Sequence, residues 1–252
     1  MVAWREKARV FAVHFLITLP FTAGAAALVF LIWFPAAFAA MLGATRLFAI
    51  LVLCTLVFGP LTSFIIYSSN KSRRALLFDY VFIGSVQLAA FIYGLYALAN
   101  TRPVFIAFAA DQLEVVTAGD IDDADLAQAR DPYRKRPLWG PLLVGIQRAQ
   151  DPQERATMLF SALAGKDYSV LPVYYVSYEQ NLPQIRQQSL PVRELEKRHP
   201  QTQPLIAKAA AQLQIPAEKL VWVRVKHRKG FGTALLDPQT GRPVHWLAVD
   251  PD

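Results

Sequence analysis

The histidines are the first residues to consider for chemistry, because a histidine can act as a general base or a metal ligand near neutral pH. Three of the four, His199, His227 and His245, are scattered over different predicted elements of the C-terminal half. The only cysteine, Cys54, lies within an apolar run and cannot join them in a cluster. A zinc site needs several ligands at suitable spacing, so we predict no metal site, no cofactor and no catalytic residue.

Signature motifs of common enzyme classes are also missing from the sequence. It contains no G-x-S-x-G, H-E-x-x-H or C-x-x-C and no dinucleotide-binding glycine pattern. Gly165-Lys166 matches part of a phosphate-binding P-loop, but the upstream glycine is missing and Asp167 stands where a Ser or Thr would bind magnesium. We therefore predict that the protein is not an enzyme.

Polar residues inside apolar runs are stronger candidates for function. Asp79 and Gln87 interrupt one such run and are eight residues apart, which places them on about the same face of a helix. Tyr93 and Gly94 continue near that face. We predict a polar stripe that packs against another helix, either of this chain or of a partner. Asp79 lies near the end of its helix, so an alternative is a carboxylate that reaches the headgroups.

His14 is a further polar residue. It lies in the first turns of the apolar run that begins near residue 10. Its shallow position favours an interfacial residue near the lipid headgroups. The alternative is a buried group that binds a proton. We expect the interfacial role.

The apolar residues that surround these positions are concentrated in the N-terminal part of the 252-residue chain. Three runs are long enough to cross a bilayer as helices, at about residues 10–34, 47–67 and 76–98. The first run is longer than the apolar core of a signal peptide, so we expect it to be retained. We predict a transmembrane region over residues 1–100.

The charges flanking these runs predict the orientation. Cations cluster in the N-terminal tail and in the loop at residues 68–74, whereas the other loop has only Arg46 at its edge. The positive-inside rule puts the tail and the second loop in the cytoplasm. The C-terminal domain is then outside, in the periplasm if the cell is a Gram-negative bacterium. Since much of the net charge of +7 flanks membrane helices, it does not indicate a nucleic-acid partner.

The pattern changes from membrane helix to soluble domain at Arg102-Pro103. Residues 104–116 are rich in Val, Phe and Ile and predict a strand or two. Residues 203–213 predict a helix, and residues 230–236 and 244–249 predict a β-hairpin. The predicted fold is therefore three N-terminal transmembrane α-helices followed by an α+β soluble domain at residues 101–252.

Segments along nearly the whole chain give a resemblance to a known family. In chain order they are His14-Phe15-Leu16-Ile17, Trp33-Phe34-Pro35, Phe58-Gly59-Pro60-Leu61-Thr62, Phe78-Asp79, Gln87-Leu88-Ala89, Tyr93-Gly94, Arg102-Pro103-Val104 through Phe108, Asp111, Gly165-Lys166-Asp167-Tyr168 and Leu236-Asp237 with Thr240-Gly241. By their order and spacing, the chain resembles the type IV pilin accessory proteins of Gram-negative bacteria. One departure is Thr55, which stands where the resemblance implies an acidic residue shortly before Gly59-Pro60.

The resemblance implies an inner-membrane accessory of type IV pilus biogenesis without catalysis. Such a protein would stabilise or present a cognate pilin and modulate surface piliation. A pilin awaiting assembly has an apolar helix in the membrane and a globular head outside, so a partner with three spans and an external domain could engage both. We predict that the partner-binding residues are Asp79, Gln87, Tyr93, Arg102 and Asp111, and that membrane lipid and other pilus assembly components are further partners.

Two other functions are compatible with the residues. The first is a membrane-anchored ligand sensor or transport accessory, whose external domain binds a small molecule and whose helices relay the bound state. The second is a membrane enzyme that uses His199, His227 or His245, which the missing motifs disfavour. Binding of a small molecule by the external domain would distinguish the sensor from the pilin accessory.

Overall fold

Three long apolar helices form the N-terminal part of the computed structural model, which describes residues 2–163 and 165–252. The first span is Trp4–Trp33, the second span is Ala44–Ile66 and the third span is Arg73–Thr101. Each is long and apolar enough to cross a bilayer. The protein is therefore a membrane protein with three N-terminal spans, as predicted, and each span extends beyond the predicted segment at its N-terminal end.

The first two spans are not regular throughout. Their helices are α1 (Val2–Ala27), the short α2 (Phe38–Met41) in the connection, α3 (Ala44–Val52) and α4 (Gly59–Ile66), whereas the third span is the single helix α5 (Arg73–Thr101). A π-helical segment, Leu53–Phe58, separates α3 from α4. Pro60 follows it and has no N–H to donate to the preceding turn, so the wider turn occurs where the regular hydrogen-bond pattern must be interrupted.

The chain divides into two compact units. The first contains the three spans, and the second combines Thr101–Asp252 with the short segment Phe34–Leu42. That segment connects the first two spans along the chain, and the sequence predicted only a loop there. We call Phe34–Leu42 the connecting segment. The predicted domain boundary at residues 100 and 101 remains a prediction, and the structure adds the connecting segment to the second unit.

A mixed β-sheet forms the centre of the second unit. Its strands are β1 (Pro103–Ala109), β2 (Gln112–Thr117), β3 (Leu142–Ile146), β4 (Tyr175–Ser177), β5 (Leu190–Pro191), β6 (Val221–His227), β7 (Gly230–Leu236) and β8 (Pro243–Leu247). The spatial order is β4-β3-β1-β2-β6-β7-β8, and β5 pairs with β6. The pairs β1–β3 and β2–β6 are parallel, and the remaining pairs are antiparallel. The predicted α+β class is confirmed, as is the C-terminal hairpin.

Short helices accompany this sheet, and some of them contribute to its two apolar cores. They are α6 (Asp123–Gln128), α7 (Pro152–Leu163), α8 (Leu182–Gln188), α9 (Val192–Arg198) and α10 (Gln203–Leu213). One core lies around β1 and β3 and includes Phe105 and Tyr175. The other joins α9 and α10 to β6, β7 and β8 around Trp222. Burial of these apolar side chains is the main source of the domain's stability.

The connecting segment contributes to the domain through two buried side chains. Phe38 is 2% exposed, and its ring centroid lies 5.0 Å from that of Trp246 on β8. Met41 packs over Gly232 on β7, where an added Cβ would come within 2.4 Å of the Met41 Cε atom. The face of the β7–β8 hairpin is therefore covered by residues from near the start of the chain.

Candidate functional site

A hydrogen-bonded junction links the three spans through His14. The Nδ1 atom of His14 lies 2.6 Å from Ser63 Oγ on the second span, and its Nε2 atom lies 2.7 Å from Gln87 Oε1 on the third. The amide nitrogen of Gln87 donates to the backbone carbonyl of Thr55, at 2.8 Å. Each span thus supplies at least one polar group to a contact that lies among apolar residues.

The donors and acceptors in this junction can be assigned from Gln87. Because its amide nitrogen donates to Thr55, its Oε1 atom is the acceptor. His14 Nε2–H must then donate to Gln87, and in the neutral ring Nδ1 accepts from the hydroxyl of Ser63. Every side-chain polar group of the three residues at the centre then has a partner, which is what a low-dielectric environment requires.

Two buried threonines extend the contact between the first and second spans. Thr22 Oγ1 lies 3.3 Å from Thr55 Oγ1. Each hydroxyl is also close to a carbonyl of its own helix: Thr22 to that of Thr18 at 3.0 Å and Thr55 to that of Leu51 at 2.8 Å. Small hydroxyl residues therefore allow the two helices to approach without leaving a buried polar atom unsatisfied.

Two glycines create the space for the third span. An added Cβ at Gly59 would lie 2.3 Å from the amide nitrogen of Gln87, so a larger residue would displace that side chain from its hydrogen bonds. At Gly94 an added Cβ would lie 2.4 Å from Leu51 Cδ1. Gly59 thus provides space for the Gln87 side chain, and Pro60 interrupts the helix.

A groove of about 310 Å³ runs beside the junction, between the first and third spans. On α5 its lining residues recur every three or four positions and so form one face of the helix: Gly84, Gln87, Leu88 and Phe91. On α1 the lining residues are His14, Ile17, Thr18, Phe21 and Thr22, and Thr55 belongs to the second span. The groove is almost wholly apolar, with the polar atoms of the junction at its edge. Such a surface suits the side chains of another apolar helix.

The predicted stripe of Asp79, Gln87 and Tyr93 is divided among different surroundings. Gln87 belongs to the junction. Asp79 instead forms an ion pair with Lys71, with 2.7 Å between the charged atoms. Tyr93 is 73% exposed, and a six-residue step along a helix turns it about 120° away from Gln87. The three residues of the predicted stripe therefore have different surroundings, and their part in partner binding remains a prediction.

Arg102 and Asp111 lie in the second unit at opposite ends of β1. Arg102 is half-buried just before the strand, and burial together with the neighbouring Arg136 lowers the pKa of its guanidinium. Its carbonyl accepts a hydrogen bond from the backbone of Ala118, at 2.9 Å. Asp111 is exposed in the turn that follows β1. The structure does not bring these two residues together, and their part in partner binding remains a prediction.

Both ring nitrogens of His14 are bound within the chain, and the predicted position of His14 near the headgroups remains a prediction. Sequence reasoning considered each polar residue on its own helix. The signal available was that each span carries polar residues of complementary type: a histidine, a serine and a glutamine. Which of them meet depends on how the helices are rotated, and hydropathy does not specify rotation.

The second unit has a cavity of its own, about 750 Å³ in volume, beside the turn between β1 and β2. Glu114 and Lys226 lie in its wall and form an ion pair at 3.1 Å, and Arg148 and Asp167 also line it. The wall of this cavity thus carries both acidic and basic side chains. In the described residues, no group of three or more His, Cys, Asp or Glu is arranged to hold a metal ion.

Comparison with known proteins identifies the family. Residues 2–43 match the model of the fimbrial assembly protein FimB, a range that includes His14 and the connecting segment. The chain is 31% identical over 185 residues to the fimbrial assembly protein of serogroup I of Dichelobacter nodosus, covering 73% of this chain and 72% of the relative.

Two further relatives come from the same organism. The fimbrial assembly protein of serogroup E1 is 30% identical over 185 residues, covering 73% of this chain and 72% of that protein. That of serogroups C1 and C2 is 34% identical over 122 residues, covering 48% of this chain and 93% of the relative. No solved structure matches the chain. By the extent of its similarity to these relatives, the chain belongs to the fimbrial assembly protein FimB family, the type IV pilin accessory proteins that its sequence resembles.

Proposed function

We propose that this protein is a membrane-bound accessory of type IV fimbrial assembly that binds a cognate pilin. Bound pilin would be stabilised or presented for assembly, so that the accessory modulates surface piliation. The observation that carries the proposal is the similarity, over 73% of the chain, to relatives named fimbrial assembly proteins. The role requires binding and no catalysis.

The membrane orientation forms part of the proposal. Three cations lie in the N-terminal tail and three in the loop between the second and third spans, against Arg46 alone near the start of the second span. The positive-inside rule then places the N-terminus in the cytoplasm and the second unit in the periplasm. The membrane would be the bacterial inner membrane, where pilin is held before assembly.

The groove between the first and third spans is the surface that we propose for the pilin helix. An apolar helix in lipid gains no hydrophobic free energy by leaving it, so association depends on close packing and on hydrogen bonds. The groove supplies both: an apolar recess along Leu88 and Phe91, and polar atoms of Thr18 and Gln87 at its edge. Its volume accommodates side chains of a partner helix that packs alongside.

Site-specific photocrosslinking in living cells tests this proposal. Benzoylphenylalanine at Phe21 or Phe91 would lie in the groove, and the same group at Phe82 provides the matched control. Phe82 is two residues from Gly84, which rotates it by about 200° to the opposite face of α5. We expect crosslinks to the pilin from the two groove positions and few from Phe82.

Deletion of the gene provides a second test. It should lower the amount of pilin or of surface fimbriae while pilin transcription is unchanged. Normal fimbriation in the deletion strain, or pilin crosslinks that are equally strong from Phe82, would contradict the proposal.

The cavity of the second unit favours one other function, a membrane-anchored ligand sensor or transport accessory. Glu114, Arg148, Asp167 and Lys226 could bind a small polar molecule that carries both charges. Thermal-shift screening of the detergent-solubilised full chain against amino acids and similar metabolites distinguishes the two functions. A specific stabilisation that is lost on Glu114→Gln would favour the sensor.

A further inference from the structure

The loop between α6 and β3, residues 131–141, is fixed firmly to the second unit. We call it the Trp139 loop. The ring of Tyr133 packs edge-on against Tyr175, with 5.9 Å between centroids. Arg136 donates hydrogen bonds to the carbonyls of Ala118, at 3.0 Å, and Ile121, at 2.5 Å. Both the ring and the guanidinium hold the loop in one conformation.

The tip of this anchored loop exposes two large apolar side chains. Leu138 is 67% exposed and Trp139 is 77% exposed. Arg134 and Lys135 precede them and are exposed as well. A tryptophan and a leucine beside cations form the composition found where proteins meet a membrane surface, since the ring suits the headgroup region and the cations suit lipid phosphates.

The residues next to the Trp139 loop indicate what covers the side chains of Leu138 and Trp139. Gly140 has a positive φ of 58°, and an added Cβ there would lie 3.7 Å from Pro35 Cγ. Pro35 belongs to the connecting segment and follows Trp33, the last residue of the first span, by two positions. Chain continuity therefore keeps Pro35 close to the end of the first span, and Gly140 lies beside it.

From these observations we infer that Leu138 and Trp139 insert into the headgroup region of the bilayer on the side that carries the second unit. Arg134 and Lys135 lie at the level of the lipid phosphates. The partner is the lipid surface itself, which is already present at the level of Pro35, whereas a protein would have to be brought there. The contact would hold the second unit against the membrane, whether or not a pilin is bound.

Depth-dependent fluorescence quenching of the full chain tests this inference. Cys54→Ala removes the native cysteine, and Leu138→Cys introduces a single site for an environment-sensitive nitrobenzoxadiazole label. The labelled protein is reconstituted in vesicles of phosphatidylethanolamine and phosphatidylglycerol, with or without lipids spin-labelled near the headgroup. Glu218→Cys, at an exposed position of the second unit, is the matched control. Trp139→Cys serves as a second reporter should the first variant fold poorly.

We expect blue-shifted emission at position 138 and quenching by the shallow spin label about twofold or more above that at position 218. Equal and weak quenching at the two positions, with emission typical of water, would overturn the inference. A blue shift without quenching would also overturn it, because the tip would then be covered by protein. The vesicles contain no pilin, so neither result bears on the proposed fimbrial function. That function is tested by the crosslinking and deletion experiments.

Discussion

His14 and Gln87, 73 residues apart in the sequence, are joined by a hydrogen bond of 2.7 Å between the first and third spans. The same imidazole contacts Ser63 on the second span, so one side chain connects all three helices. Within apolar surroundings, such a junction selects one rotation of each helix, because any other rotation leaves polar groups without partners. The groove beside it depends on that arrangement.

The first prediction is that His14 and Gln87 stabilise the spans jointly. Either His14→Ala or Gln87→Ala should lower the free energy of unfolding in mixed micelles by about 1–2 kcal/mol. The double variant should lose less than the sum, with a coupling of about 0.6 kcal/mol. Tyr93→Ala, at a largely exposed position, is the control and should change little. Strict additivity of the two losses would show that the hydrogen bond contributes nothing.

A second prediction compares two glycines of the spans. Gly59→Ala places a methyl group within 2.3 Å of the Gln87 amide and should lower stability by about 1–3 kcal/mol through overpacking. Gly84→Ala is the matched control, since no atom lies within 4 Å of an added Cβ there. It should be neutral or slightly stabilising, because alanine favours a helix. Unfolding by denaturing detergent, followed by circular dichroism, measures both; equal effects would argue against the described fit of Gln87.

The third prediction concerns fimbrial assembly and rests on the proposed function. Gln87→Leu removes the polar edge of the groove and should reduce both pilin capture in detergent and surface fimbriation. Asp79→Asn should leave both near the level of the unaltered protein, since its partner Lys71 is partly exposed and such pairs contribute at most about 1 kcal/mol. Surface fimbriae of the two variants are compared by quantitative immunoblotting of sheared fimbriae, with both variants at equal abundance. A larger loss of pilin capture and fimbriation in Asp79→Asn than in Gln87→Leu would place the pilin contact near Asp79.

The fourth prediction is that the connecting segment stabilises the second unit. Phe38→Ala removes a buried ring from Trp246 and should cost about 3–5 kcal/mol. Hydrogen exchange should then accelerate in β7 and β8 of the full chain. Phe82→Ala, which truncates an exposed phenylalanine of the third span, is the control and should leave exchange in these strands unchanged. Unaltered protection after Phe38→Ala would mean that the hairpin is stable without this cover.

The fifth prediction concerns alkaline pH. Burial raises the pKa of the Tyr178 phenol, whose hydroxyl donates to the carbonyl of Gly241 at 2.9 Å. Below pH 10 both folded and unfolded chains hold the proton; above it the unfolded chain releases the proton first, so stability falls as pH rises. Tyr178→Phe should cost about 1 kcal/mol at neutral pH and flatten the decline above pH 10. Thermal unfolding measured across that range would detect the difference, and identical slopes would contradict it.

The sequence predicted the parts of this fold that depend on local patterns. The three apolar runs, the hairpin of β7 and β8 and the helix at residues 203–213 all follow from spacing and composition along one segment. The pairing of His14 with Gln87 could not be found in this way, since it depends on the rotation of helices against each other. Thr55 is similar: the residue type there departs from the expected acid, but the group used by Gln87 is the backbone carbonyl, which every residue has.

The contact between Phe38 and Trp246 was equally inaccessible from sequence. The connecting segment is short and apolar, and its composition fits a membrane-edge turn as well as a domain component. The packing of Phe38 against Trp246 on β8, far along the chain, shows that the segment is a component of the domain. The Trp139 loop differs, since its prolines and Gly140 are typical of a loop, whereas the exposure of its tip follows from the anchoring by Tyr133 and Arg136.

The burial of Phe38 under β8 has a consequence for biosynthesis. Phe38 leaves the ribosome well before Trp246, because strands β1 to β7 lie between them in the sequence. The contact between Phe38 and Trp246 therefore forms only after β8 has been synthesised. The connecting segment thus covers the hairpin of β7 and β8 only after all three spans have been synthesised.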